Sequence, residues 1–223
     1  ALNNIAWIYY SLSSNERAAE YFEKALKIDE ESEEADPLSY VQIYEYLADI
    51  YAWSTNDNNL FYDRAVRLLK KALAIRLELT SQPNEETATT YLYLAEAKIK
   101  QLTSPWLSKD ISYKDFKSSH INQFRSANLD ISKSLEILKK LYGPSHSKVA
   151  EAYKEASRIY MDLYGEHEES KKFLNKALEI FLNLQGPKHD SVAWIYNRLG
   201  VLENSYQEKI NFYEKALKIM AEI

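Results

Sequence analysis

Ala18-Ala19-Glu20-Tyr21-Phe22-Glu23-Lys24-Ala25-Leu26-Lys27-Ile28, residues 18–28, sets Ala18, Phe22, Ala25, Leu26 and Ile28 at helical spacing. The same arrangement returns as Ala65, Leu69, Ala72, Leu73, Ile75 and as Ala127, Ile131, Ser134, Leu135, Ile137. It returns again as Ser170, Leu174, Ala177, Leu178, Ile180, and last as Lys209, Tyr213, Ala216, Leu217, Ile219, with a lysine in the first small slot. Recurrence at one internal spacing marks a repeat architecture, whose units must stack to bury their apolar faces.

Each copy follows a second amphipathic segment with a small residue at its middle: Ile5-Ala6, Leu47-Ala48, Leu94-Ala95, Glu155-Ala156 and Leu199-Gly200. A small side chain there lets the two helices approach closely, while larger neighbours fill the gap beside it. The unit is therefore an antiparallel helix hairpin, and the chain an all-α array of about five. The hairpins are expected at approximately 1–30, 37–79, 85–142, 147–184 and 190–222 of a single domain covering residues 1–223.

Bulk composition agrees. Of 223 residues, 46% are hydrophobic, with only four glycines and five prolines, which favours long helices over strands and tight turns. Cysteine is absent, removing disulfides, thiolate nucleophiles and cysteine metal sites, and suiting an intracellular, cytoplasmic protein. A net charge of -5 lacks the basic stripe of a nucleic-acid surface. No apolar run approaches the ~20 residues of a membrane span, so no membrane insertion is expected.

Two linkers repeat. Gly143-Pro144-Ser145-His146-Ser147-Lys148-Val149-Ala150 is echoed 43 residues later by Gly186-Pro187-Lys188-His189-Asp190-Ser191-Val192-Ala193. Each glycine stands where a left-handed residue would end a helix, and the proline behind it blocks continuation. A structural role is expected for His146 and His189, hydrogen-bonding backbone and orienting the next helix, ahead of metal or acid–base work. Asp36-Pro37 and Asn84-Glu85-Glu86 read as helix starts.

These residues resemble tetratricopeptide repeats, of the longer kind found in kinesin light chains, whose linker reads Gly-x-x-His-Pro-x-x-Ala. Ser147 and Asp190 stand here where that family has proline, and Leu2-Asn3-Asn4-Ile5-Ala6 is similar to its Leu-Asn-Asn-Leu-Ala. The resemblance implies an α-α superhelix and a non-enzymatic protein-interaction scaffold or adaptor that binds a peptide or partner helix in a concave groove. Spacing between the second-helix slots departs from regularity, 47 from Ala25 to Ala72 and 62 from Ala72 to Ser134. A polar insertion (Ser54 to Asn59) and a longer one at 104–120 account for this. The longer one carries Trp106, Leu107, Ile111, Tyr113 and Phe116, apolar groups expensive to leave in water.

No catalytic constellation, phosphate loop or metal motif occurs in the sequence, and no cofactor is implied. Asp29-Glu30-Glu31-Ser32-Glu33-Glu34 reads as a solvated linker, since a calcium loop needs a glycine-turned spacing missing here. The candidate residues instead flank the mid-helix pairs, where an array of this kind lines its groove. They are Asn3, Asn4, Trp7 and Tyr10; Glu45, Tyr46, Asp49 and Trp53; Tyr93 and Glu96; Tyr153, Lys154, Ser157 and Tyr160; and Trp194, Asn197 and Arg198. Aromatic rings contribute area at small entropy cost, and amides can bond both groups of an extended backbone.

The carboxylate clamp of the wider superfamily needs a lysine and an asparagine where this chain has Asn3 and Trp7, or Glu45 and Asp49. Kinesin light chains bind acidic Trp-containing peptides, whereas Glu45, Asp49 and Glu96 point here to a neutral or basic-and-hydrophobic ligand. The partner expected is a protein or peptide. Self-association through the apolar edge of Gln207 to Ile223, giving a homo-oligomer, is an alternative, as is a regulatory domain of a larger protein.

Overall fold

The computed structural model describes residues 1–32, 37–52, 59–103, 113–161 and 167–223, and among these there are helices and no strand. The helices are α1 (Leu2–Ser11), α2 (Asn15–Glu30), α3 (Pro37–Ala52), α4 (Asn59–Leu79), α5 (Glu85–Thr103) and α6 (Tyr113–Ser119). They continue as α7 (Ile121–Tyr142), α8 (Ser147–Met161), α9 (His167–Gln185), α10 (Asp190–Leu202) and α11 (Tyr206–Glu222). One compact unit comprises residues 1–111 and 120–130; the other comprises 112–119 and 131–223.

In the first unit α1 pairs with α2 and α3 with α4, while α3 also meets α5. The small slots create these pairings: Ala6, Ala18, Ala65 and Ala95 are wholly buried, as is Ala72. Phe22, Leu47 and Leu69 fill the space between them. In the second unit α8 pairs with α9 and α10 with α11, around the buried Ala156, Ala177 and Ala216. At Gly200 a Cβ would lie 2.8 Å from Tyr213 Cε1, so here the small residue is needed for the contact itself.

Helix ends follow local chemistry. Gly143 and Gly186 adopt φ of +87° and +76°, the left-handed conformation that ends α7 and α9. The Nδ1 of His146 accepts from Lys148 N–H at 3.2 Å, and that of His189 from Ser191 N–H at 3.1 Å. Both imidazoles thus cap the following helix, the backbone role anticipated for them. Asn84 caps α5 through Thr87 N–H at 2.9 Å, and Ser205 caps α11 through Glu208 N–H.

A two-rung ladder fixes α2, α3 and α4. Glu23 accepts from the Tyr51 hydroxyl and pairs with Arg64 at 2.8 Å. Seven residues on, Glu30 accepts from Tyr44 at 2.6 Å and pairs with Lys71 at 3.4 Å. Each cation also lies over the ring of its rung, Arg64 at 4.9 Å from Tyr51 and Lys71 at 5.4 Å from Tyr44. Burial, then the carboxylate partner, pushes both phenols well above the usual tyrosine range, so both remain donors.

Asp36, residues 54–58 of the insertion expected from Ser54 to Asn59, Trp106, Leu107 and Ile111 lie outside the described residues, and Asn59 begins α4. Of the longer insertion, the part in α6 buries Phe116.

Candidate functional site

α1, α3 and α5 together line an open cavity of about 280 Å³. Tyr10 comes from α1; Gln42, Glu45, Tyr46 and Asp49 from α3; and Thr89 and Tyr93 from α5. The spacing that put these residues beside mid-helix small residues brings five of the candidates into one pocket. Trp7 extends its aromatic wall, edge-on to Tyr46 at 4.4 Å and to Tyr10 at 5.8 Å. Tyr10 donates to Asp49 Oδ2 at 2.5 Å. Burial, with that carboxylate behind it, raises the Tyr10 phenol above its ordinary range and keeps the proton on it.

Arg76, near the end of α4, also lines the cavity and was not among the residues expected there. Its buried guanidinium grips both oxygens of Glu45, at 3.3 and 3.1 Å, and reaches Glu86 at 2.5 Å. Thr90 Oγ1 donates to the same Glu45 carboxylate at 2.5 Å. Glu45 is thus a neutralised structural group, which corrects its reading as an open acidic residue of the groove. No single helix could have signalled this, because Arg76, Glu45 and Glu86 belong to three.

The other candidates divide. Tyr93 is exposed, Asn4 is exposed, and Asn3 is partly buried with its Oδ1 shielded and unpaired. Glu96 is buried and paired to Lys100 one turn on, at 3.1 Å. Trp53 lies outside the described residues.

In the second unit two cations lie over the Trp194 ring, Lys154 at 4.9 Å and Arg198 at 5.0 Å, and Asn197, three residues on, is exposed. Tyr153, Ser157 and Tyr160 are corrections: all three are buried. Ser157 is closed in by Ser170, whose Oγ is 2.8 Å from its own Oγ. Tyr160 packs parallel to Phe173 at 6.1 Å. Hairpin packing claims these side chains because tyrosine fills an interior as readily as it lines a surface.

A second cavity, about 340 Å³, opens between the ladder rungs over Leu26, Leu47 and Leu68. Among the described residues no group of three or more potential metal ligands occurs, and no helix is long and apolar enough to cross a membrane.

Two family profiles described as tetratricopeptide repeat match the chain, over residues 163–222 and 1–32. Among solved structures, BtubC (BKLC) from P. vanneervenii is similar, with TM-score 0.67 and 19% identity over 99% of this chain and 79% of that one. A Podosopora anserina protein of nearly identical TPR-like repeats, named after kinesin light chain, gives TM-score 0.69 and 19% identity, over 99% and 93%. A second structure so described gives 0.68 and 18%, over 99% and 94%. No curated protein matches. At this identity the structural likeness speaks for fold, and the repeat type is carried by the two matched segments: residues 1–32 and 163–222 match tetratricopeptide repeats, within an all-α array that resembles the kinesin light chain kind.

Proposed function

We propose that this chain is a non-enzymatic scaffold or adaptor module that binds a peptide or partner helix across α1, α3 and α5. Tetratricopeptide repeats are in general protein–protein interaction modules. The observation that carries the reading is the cavity of about 280 Å³, where Tyr10, Tyr46 and Tyr93 from three helices meet polar groups. Rigid aromatic walls with a few convergent polar atoms suit a peptide side chain.

A peptide array probed with the chain, then with Tyr93→Ala and Tyr46→Ala, tests it. Capture should fall at least tenfold in both variants while their helical circular dichroism is unchanged. Unchanged capture in both would overturn the reading. Asn197→Ala provides the matching test for the Trp194 cluster. Self-association remains a second reading because Ile210, Leu217 and Met220 on α11 are all exposed. Light scattering showing a monomer across the micromolar range would sink it.

A further inference from the structure

We propose that the cavity between α1, α3 and α5 receives the guanidinium of an arginine presented by the partner; this rests on the peptide-binding reading above. Three observations converge on a cationic side chain as the ligand.

The first is the local charge. Glu45 and Glu86 share the single guanidinium of Arg76, leaving one negative charge between them. Glu86 is 68% exposed at its side chain and can take a second partner. Asp49 adds another charge, for its contact is the neutral Tyr10 hydroxyl, and no cation reaches it among the described residues. The lining therefore carries an excess of about two negative charges.

The second is the treatment of aromatic rings. In this unit the chain repeatedly places its own cation over a tyrosine: Arg17 over Tyr9 at 5.5 Å and Lys24 over Tyr21 at 5.3 Å. The ladder tyrosines are covered in the same way by Lys71 and Arg64. Trp7, Tyr10 and Tyr46 form a mutual cluster over which no cation of the described residues lies. Two of these rings, Tyr10 and Tyr46, line the same cavity as the uncompensated Asp49.

The third is geometry. The carboxylates and the rings bound one cavity of about 280 Å³, which has room for one long side chain. Arginine fits better than lysine, because its planar fork can bond a carboxylate with two N–H groups while its face stacks on an aromatic ring.

The probe is an array of twelve-residue peptides with randomised flanks and a fixed central Arg, Lys, citrulline, norleucine or Glu. Arginine should be captured about tenfold above its neutral isostere citrulline, with lysine between, and the margin should shrink as salt rises. Asp49→Asn should remove most of that margin and leave the norleucine signal unchanged; an asparagine oxygen can still accept from Tyr10. Equal capture of arginine and citrulline, or preference for Glu, would overturn the arginine assignment. If that capture were still lost in Tyr93→Ala, peptide binding at the cavity would stand without it. Absence of capture at every centre would overturn both.

Discussion

Replacing Arg76 with leucine should be among the most damaging single changes in the first unit. The side chain is 8% exposed and bridges α4 to α3 and α5. Its removal leaves Glu45, only 14% exposed, with a threonine hydroxyl as its remaining donor. Stranding a buried charge in this way costs about 3–5 kcal/mol, far more than the pair is worth against an apolar replacement. Unfolding midpoints move by roughly 2–4 °C per kcal/mol in chains of this size, so a fall of about 10 °C is expected. Circular dichroism at 222 nm during a thermal ramp would read it. The double variant Arg76→Leu/Glu45→Leu should recover most of the loss. Thr90 would then keep its bond to the Glu86 carbonyl at 2.9 Å, and exposed Glu86 would remain in water. A single variant losing under about 1 kcal/mol, or a double variant no better than the single, would refute this account.

Gly200→Ala should gain about 1 kcal/mol of helix propensity and lose more to the Tyr213 ring, a net cost of about 1 kcal/mol. Tyr213→Leu in the same chain should reduce that cost, and a urea titration showing Gly200→Ala stabilised would contradict it. His189→Ala should lose about 1 kcal/mol of capping at α10, whereas His189→Asn, whose amide oxygen can cap, should lose little. Equal urea midpoints for the two variants would argue that the imidazole does not act as the cap. The Lys171 ammonium, 2.9 Å from Glu203, and the Asn204 N–H lower the Glu203 carboxyl to about 2. Because the folded value is depressed, its stabilisation is complete above about 4.5 and vanishes as pH falls toward 2. Lys171→Met should cost about 1 kcal/mol at pH 7 and progressively less between pH 4 and 2, measured by urea midpoints. A penalty independent of pH would contradict this.

The repeat was legible because burial forces it. Positions such as Ala18, Ala65 and Ala156 tolerate little besides a small side chain, so periodicity in the sequence maps directly onto packing. Linker chemistry was legible for a related reason: a left-handed backbone selects Gly143 and Gly186 whatever surrounds them. The site was less so. Tyr10, Tyr46 and Asp49 lie one turn or a close neighbour from the small residues that define the hairpin, and they do share a pocket. Tyr153 and Tyr160 occupy equally suggestive positions and are buried. Helical spacing gives the face of one helix but not which neighbour covers it. Arg76 illustrates the converse: a charge on an amphipathic helix reads as solvated until the register of two other helices brings carboxylates to it.

The ladder on α2, α3 and α4 has a mechanical consequence. Its rungs are separated by seven residues, two helical turns, so one turn of sliding, about 5.4 Å, would misalign both at once. Tyrosine-to-carboxylate bonds contribute about 1.5–3 kcal/mol each, so breaking two together is a steep barrier even though the exposed ion pairs add little. Motion among these three helices is therefore biased toward hinging with the rungs intact, because shear must break both together. A ligand that reshapes this unit does so at lower cost by bending it.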